Sequence, residues 1–324
     1  MKIFDNPNYN FIRWRWQAIT LSLVVILAGA AVMVTRGVPL GIDFSGGTLL
    51  VVGFDQPVTE DQVRQALDAV PGDKTIQQYG DAADRRWMIR LPQGETVERG
   101  ASLEQASQQV LDALQKAGLP SFEVVNRELV GPVIGADLQR RGIYATLASI
   151  IAITIYIGFR FRFSFAIGAI AATFHDIFVT LAFLVFFGYD LSLNVVAALL
   201  TITGYSVNDT IVIFDRVREN LRSMRRDSLE QVVNTSVNQT LSRTIITAGT
   251  TFLSVLALFI FGGEVLRGFA FTMLVGIISG TYSTIFIASA IAIILSQRKR
   301  PATASTSADA PARPGRKAKR ARAS

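Results

Sequence analysis

Asp209 is the residue of this sequence whose type and position most clearly indicate chemistry. It lies near the end of an otherwise apolar run, residues 191–214. A carboxylate inside a membrane-spanning helix costs roughly 3 kcal/mol even on the lenient insertion scale, and such residues usually carry protons, ions or substrate. Arg243, at the start of the next apolar run, is the obvious countercharge. The pair predicts an ion-coupled membrane protein rather than a passive anchor.

The depths of Asp209 and Arg243 suit proton coupling, because the chain reverses between them and predicts antiparallel neighbouring helices. While the charges are paired the carboxylate stays ionised, and when the guanidinium withdraws the desolvated carboxylate takes up a proton. One charge crossing the membrane field yields ~2.3 kcal/mol per 100 mV, which biases a two-state change by about tenfold or more. The alternative is static: an interhelical ion pair, or an Asp209 held by Asn208 and Thr210.

His175 and Asp176 form a second polar island near the middle of another apolar run, with Thr173 and Thr180 within one helical turn. His175 is the only histidine of the chain. Two interpretations stay open: an auxiliary station on a proton path, or a buried pair that hydrogen-bonds to a neighbouring helix. One imidazole with one carboxylate offers too few ligands to predict a metal site.

Small residues mark the predicted helix contacts. Gly276 and Gly280 form a GxxxG spacing, extended by Thr284 and Ala288 at four-residue intervals. Small side chains let the backbones of membrane helices approach closely, so packing inside the bundle is expected. Gly204, just before the Asp209 segment, is predicted to be a further packing or flexing point.

These residues are positioned by six apolar runs, each long enough to cross a bilayer, which takes about 20 residues. Half of the 324 residues are hydrophobic, which favours a membrane protein. The predicted spans are residues 17–35, 143–159, 163–187, 191–214, 244–261 and 268–295.

The positive residues flank alternate ends of these spans and so predict an orientation. They are Arg13 and Arg15, then Arg160 and Arg162, then Arg216, Arg218, Arg222, Arg225 and Arg226, and finally Arg298, Lys299 and Arg300. Residues 1–16, 215–242 and 296–324 are therefore predicted to be cytoplasmic, and only Arg140 and Arg141 disagree. The loop 36–139, with 15 acidic and 9 basic residues, is predicted to be periplasmic. Residues 28–30 imitate a signal-cleavage site, but the long polar leader predicts an uncleaved span.

The loop 36–139 has the pattern of a small α+β domain. The predicted strands are residues 42–54, 75–79, 86–91 and 122–129, and the predicted helices are 59–70 and 102–117. An Asp81-rich turn separates the second and third strands. The order βαββαβ is ferredoxin-like, an arrangement that implies no single function. Since the loop lacks histidine, Ser-His catalysis is excluded there, and a binding or spacer domain is favoured.

The remaining segments carry weaker signals. The absence of cysteine excludes disulfides and thiolate chemistry. Residues 215–242 suggest an amphipathic continuation of the fourth span followed by a short surface helix. The Ala/Pro/Ser-rich tail ends in a basic cluster, residues 316–320, and cannot build a core. It is either a solvated tail, a contact for anionic lipid or an RNA contact. The net charge of +7 follows from topology and does not itself predict nucleic-acid binding.

Several of these segments together resemble the SecF family of bacterial protein-export subunits. GIDFSGGT at residues 41–48 is similar to the GIDFxGG motif of that family, and GPVIG at 131–135 to its GPxxG. The other matching segments are 204–210, 214–220, 243–244, 261–263 and 280–288. The resemblance covers nearly the whole chain apart from the basic tail.

The resemblance implies a six-helix half that pairs with SecD in a pseudo-symmetric bundle related to resistance-nodulation-division transporters. It implies the bacterial inner membrane, a SecYEG channel, an emerging polypeptide, SecA and a YidC-type insertase as functional partners. Asp209 and Arg243 match the positions that the family uses for proton transport, so protons replace any cofactor and no hydrolase or ATPase site is expected. Two rival functions stand beside proton-coupled export: a half-size exporter of small molecules or lipids, and a scaffold for SecD or the channel.

Overall fold

The computed structural model describes residues 7–72, 74–80, 82–92 and 103–298. The predicted turn at Asp81 and nearly all of the predicted basic tail lie outside these residues. In chain order the helices and strands are α1 (Arg15–Arg36), α2 (Ile42–Ser45), β1 (Gly47–Phe54), α3 (Glu60–Ala66), β2 (Thr75–Gln78), β3 (Arg86–Pro92), α4 (Leu103–Lys116), β4 (Phe122–Val130), α5 (Pro132–Arg160), α6 (Phe163–Phe186), α7 (Leu193–Ser223), α8 (Leu229–Phe261), α9 (Gly263–Ser283) and α10 (Ser289–Arg298).

Helices α3 and α4 and the four strands form the small domain between the first and second long helices. Its sheet has the order β2-β3-β1-β4 with every neighbouring pair antiparallel, which confirms the ferredoxin-like arrangement. Alternate residues of β1, such as Leu50 and Val52, are buried with Val110 and Leu114 of α4. The predicted first strand is wrong at its start, because residues 42–45 form α2. The strand begins only after Gly46, whose φ of 70° breaks the helix.

The loop before α2 is hydrogen-bonded to the loop that precedes α7. The Gly41 amide donates to the Leu191 carbonyl at 2.7 Å. Asp43 then accepts the backbone N–H of Leu193 at 2.9 Å, at the first turn of α7, where a carboxylate is favoured by the free N–H groups and the helix dipole. The small domain is thereby joined to the start of α7.

Two further contacts close this junction. Arg90 of β3 forms an ion pair with Asp190 in the loop before α7. Gly135 of α5 lies so close to α2 that a Cβ there would be 3.2 Å from the Gly46 nitrogen. The motifs at residues 41–48 and 131–135 therefore meet in one place, although they are separated by the whole small domain.

Among the residues that the structure describes, six helices are long and apolar enough to cross a membrane. The sixth crossing consists of α9 and α10, joined by a π-helical turn, Thr284–Ala288. It is the most enclosed of the six, whereas α5 is almost wholly exposed. Within the bundle α6, α7 and the sixth crossing pack against one another, and α8 packs on α7 and α9.

The predicted short surface helix between the fourth and fifth spans is wrong. Helix α7 continues without a break to Ser223, and α8 already begins at Leu229. The physical reason is a capping box, in which Ser228 and Gln231 satisfy each other's backbone N–H groups at the start of α8. The polar residues then join the two extensions, as in the 2.9 Å bond from Asn220 to Ser236.

Candidate functional site

Two series of residues with four-residue spacing mark two faces of helix α7, one buried and one exposed. Ile202, Ser206 and Thr210 are buried against other helices. Gly204 and Asn208 are exposed, on the other series. Asp209 is partly buried and follows Asn208 directly.

Asp209 is held by a single hydrogen bond. The Thr244 hydroxyl of α8 donates to its Oδ1 at 2.7 Å. The other carboxylate oxygen, Oδ2, is buried and has no hydrogen-bond partner among the described residues. An ionised carboxylate can accept about four hydrogen bonds, so this one is far from saturated. Its free oxygen can take a proton without breaking an existing bond.

Arg243 lies beside Thr244 on α8, but its side chain is exposed. The predicted antiparallel packing of α7 and α8 is present. The predicted ion pair is not, since in the part of the chain that the structure describes no Arg243 nitrogen reaches Asp209 within salt-bridge distance. Asp209 is also not held by Thr210, whose hydroxyl donates to the Ser206 carbonyl and contacts Thr284 Oγ1 at 3.0 Å. Arg243 is therefore the sequence neighbour of Thr244, the residue whose hydroxyl binds the Asp209 carboxylate.

Asp176 of α6 lies on the inner side of α7 and is saturated with donors. Three hydroxyls donate to it: Ser206 to Oδ2 at 2.5 Å, Ser283 to Oδ2 at 2.8 Å and Ser279 to Oδ1 at 2.7 Å. His175 Nδ1 lies 3.1 Å from Oδ1. Only 1% of Asp176 is exposed, so burial is compensated by four partners.

His175 is 7% exposed, and its Nε2 has no partner within the described ranges. The imidazole stacks on Tyr282 with 6.0 Å between ring centroids. His175 belongs to the lining of a cavity of about 310 Å³ between α1, α6 and α9. This geometry favours the second of the two interpretations, a buried pair bonded to neighbouring helices, because side chains of α6, α7 and α9 occupy the acceptor positions of Asp176.

Three residues of the two networks were not singled out from the sequence: Ser279 and Ser283, which bind Asp176, and Thr244, which binds Asp209. Ser279 and Ser283 are four residues apart on α9 and flank Gly280, so one helix face carries both the small residue and the donors. A search for hydroxyls at helical spacing beside the GxxxG motif would have found them. Thr244 gives no such signal, because hydroxyl-bearing residues recur throughout α8 and most of them bond to their own helix, as Thr247 does to the Arg243 carbonyl.

Two of the three predicted packing glycines lie on α9 and contact α7, and the third, Gly204, lies on α7 itself. A Cβ on Gly276 would lie 2.1 Å from Ile202 Cδ1, and one on Gly280 would lie 3.0 Å from Ser206 Cβ. These two confirm close packing of α9 on α7. Gly204 does not pack within the described chain, where nothing lies within 4 Å of its Cβ position. Nor do three carboxylate or imidazole residues converge to hold a metal within the described ranges.

Comparison with known proteins decides the family. The family model described as protein export membrane protein SecD/SecF, C-terminal, matches residues 109–298, and a second, the SecD/SecF GG motif, matches residues 31–58. The chain belongs to the SecF family of protein translocase subunits. A SecF subunit of Vibrio alginolyticus is 43% identical over 290 residues, 89% of this chain and 90% of its own. One of Escherichia coli O157:H7 is 39% identical over 292 residues, 90% of this chain and 89% of its own.

Solved SecDF structures share the fold. A crystal structure of SecDF from Thermus, a translocon-associated membrane protein, superposes with a TM-score of 0.79 at 34% identity over 91% of this chain. SecDF in a super-membrane-facing form gives 0.66 at 35% identity over 92%. This chain spans only 39% and 40% of those two SecDF chains. The SecF family model over residues 109–298 includes both Asp176 and Asp209, and the GG-motif match includes the junction at Gly46.

Proposed function

We propose that this protein is the SecF-type half of a proton-driven unit that promotes the translocation of polypeptides across the bacterial inner membrane. The observation that carries the proposal is the incomplete coordination of Asp209, a carboxylate within a membrane-spanning helix that has one donor and one free oxygen. Ionisable residues in such positions mark ion and proton pathways. The family supplies the second part, since its members are protein translocase subunits.

In the proposed cycle Asp209 exchanges a proton on Oδ2. The ionised form accepts the Thr244 hydroxyl and attracts the nearby Arg243, whose exposed side chain is free to swing towards or away from it. Protonation removes that attraction, so the two protonation states favour different positions of α8 against α7. A proton that crosses the field supplies ~2.3 kcal/mol per 100 mV, enough to bias a two-state movement.

The exposed face of α7 suits a partner half. Gly204 and Asn208 leave a small and polar surface beside Asp209, and a charge-bearing helix face of this kind is not expected against lipid. We place the SecD half there, because SecDF chains that share the fold are about two and a half times as long as the part matched here. The arginine-rich side would then be cytoplasmic with both termini, and the small domain periplasmic.

Movement of α7 would reach the small domain through the junction. Asp43 and Arg90 attach that domain to the first turn of α7 and to the loop before it, and Asp209 lies on the same helix. The small domain is therefore suited to follow the helix and to act on an emerging polypeptide beside a SecYEG-type channel, after SecA has begun its insertion and with a YidC-type insertase nearby. Energy comes from protons in this proposal, not from a nucleotide or hydrolase site of this chain.

The test is the translocation of a precursor into inverted membrane vesicles that contain the SecD-type partner, with and without a proton motive force. Asp209→Asn should abolish the force-dependent part and leave the ATP-dependent part. Asp209→Glu, which keeps a titratable group, should retain part of it. Asp227→Asn, the same change at an exposed carboxylate between α7 and α8, is the matched control and should behave as the unchanged protein.

Two results would favour the rival functions. If Asp209→Asn assembles with its partner and translocates normally, the protein is a scaffold and proton exchange at Asp209 is wrong. If precursors never accumulate in cells depleted of the protein, but sensitivity to small amphiphiles rises, the half-size exporter is favoured.

A further inference from the structure

A basic cavity lies at the end of the bundle opposite the small domain. It has a volume of about 440 Å³ and lies between the end of α5, the start of α6 and the extension of α7. The guanidinium-bearing residues in its lining are Arg160, Arg162, Arg218 and Arg222. None of the residues that line this cavity takes part in the hydrogen bonds of Asp209 or Asp176.

The cavity keeps an excess of positive charge. Arg160 forms an ion pair with Asp215 at 2.7 Å. Its three companions, Arg162, Arg218 and Arg222, have no carboxylate partner among the residues that the structure describes. Helix α6 also begins here, and Arg162 at its N-cap provides no side-chain cap, so the free N–H groups and helix dipole add to the positive potential. An anion with several oxygens fits this charge.

The inner wall of the same cavity is aromatic. Phe161, Phe165 and Phe214 contribute to the lining, and Phe214 packs edge-to-face on the other two with centroids 5.9 and 5.0 Å apart. Phe214 is also the last residue of the apolar part of α7, before the charged extension starts at Asp215. The cavity therefore lies where the apolar part of α7 ends, with its guanidinium groups next to an aromatic wall that belongs to the core of the bundle.

We propose that this cavity binds the phosphate headgroup of an anionic phospholipid from the surrounding membrane. Guanidinium groups bind phosphate with charge-assisted, often bidentate hydrogen bonds, and basic pockets between membrane helices at the cytoplasmic surface suit anionic headgroups. A free phosphate would use the arginines but would gain nothing from the aromatic wall. The lipid therefore accounts for both halves of the lining. This inference does not rest on proton exchange at Asp209.

Neighbouring arginines provide a matched control. Arg225 and Arg226 follow α7 on the same side and are exposed, but neither belongs to the cavity. Removing Arg218 and Arg222 or removing Arg225 and Arg226 lowers the net charge of this surface by the same amount. A long-range attraction of anionic lipid would respond equally to both changes, whereas a built site responds only to the first.

The experiment is native mass spectrometry of the purified complex with its SecD-type partner, titrated with phosphatidylglycerol and, separately, with phosphatidylcholine. We expect the double variant R218Q/R222Q to bind phosphatidylglycerol at least tenfold more weakly and the control R225Q/R226Q to change by less than twofold. Phosphatidylcholine should bind weakly to all three proteins. Thermal unfolding checks that each variant is folded, and R218K/R222K, which keeps the charge, should recover part of the affinity.

Three outcomes would overturn the proposal. Equal loss in the two double variants would mean diffuse surface attraction. Equal binding of phosphatidylglycerol and phosphatidylcholine would remove headgroup charge from recognition. Displacement of the lipid by millimolar inorganic phosphate would identify a free-anion site instead of a lipid site.

Discussion

The two faces of α7 carry similar polar residues but satisfy them to opposite degrees. On the inner face Ser206 donates to Asp176, Thr210 contacts Thr284, and the carboxylate has four partners. Next to the exposed series, on the side that faces α8, Asp209 has one donor and an unpartnered oxygen among the described residues. The acceptor positions of Asp176 are all occupied, whereas one oxygen of Asp209 is not. Ser206 and Asp209, which take part in the two networks, lie within one turn of α7.

The number of hydrogen-bond partners distinguishes a carboxylate that holds membrane helices together from one that suits proton exchange. A buried carboxylate whose acceptor positions are all occupied by donors is fixed in place by those hydrogen bonds. A carboxylate with a free oxygen can change its protonation at low cost in contacts. The contrast supports cohesion of α6, α7 and α9 as the role of Asp176, and it supports the proposed proton exchange at Asp209.

The largest contrast is expected between the two carboxylates themselves. Asp176→Ala removes the acceptor of three hydroxyls and leaves those of Ser206 and Ser279 buried without a partner among the described residues, so we expect a loss of about 3 kcal/mol or more in the free energy of unfolding. Asp209→Ala leaves only the Thr244 hydroxyl without its acceptor and also removes an unpartnered oxygen, so its loss should be smaller, about 1 kcal/mol. Denaturant unfolding of the purified complex measures both. Equal losses would mean that Asp209 is as tightly built in as Asp176.

The glycines test the same contrast through packing. A Cβ on Gly276 would overlap Cδ1, Cγ1 and Cγ2 of Ile202, the nearest at 2.1 Å, and this buried, β-branched side chain cannot turn away cheaply. We expect Gly276→Ala to lower the midpoint of thermal unfolding, with an overpacking cost of about 1–3 kcal/mol. Gly204→Ala meets no described atom within 4 Å and should be neutral or slightly stabilising, because alanine favours helices.

The Gly204 variant then distinguishes the chain alone from the assembly. If Gly204→Ala leaves folding unchanged but weakens copurification with the SecD-type partner, the outer face of α7 is covered by that partner. If the Gly276 variant is as stable as the unchanged protein, the inner face is looser than its distances indicate.

The elements of this fold could be predicted because they depend on local sequence. Long apolar runs specify the six spans, alternating residues and turns specify the βαββαβ order, and a lone carboxylate in an apolar run identifies Asp209. The helix boundaries near Ser223 and Leu229 were missed because charged residues continue a helix as readily as they end one, and the Ser228 capping box lies among them.

The contacts of the site could not be predicted, because they depend on how each helix is rotated about its axis. Thr244 and Arg243 are adjacent, and 100° of helix rotation decides which of them meets Asp209. A membrane helix that is apolar on most of its surface does not specify this rotation by amphipathicity. The junction was hidden for a different reason: Asp43 and Leu193 are 150 residues apart and meet only through the tertiary fold.

The smallest contrast is expected for single polar residues on the two faces. Ser206→Ala removes one of three hydroxyl donors to Asp176, and a hydrogen bond to a charged group contributes about 1.5–3 kcal/mol. Because Ser279, Ser283 and His175 remain and can tighten, we expect a loss near the lower end of that range. Asn208→Ala, on the exposed outer series, should change the free energy of unfolding by less than about 0.5 kcal/mol.

The double variant that combines Ser206→Ala with Asp176→Ala supplies the decisive measurement. If the two residues share a hydrogen bond, the Ser206 change costs nothing further once Asp176 is gone. Additive losses would place the contribution of Ser206 in helix packing against Gly280 and would weaken the case that hydrogen bonding closes the inner network.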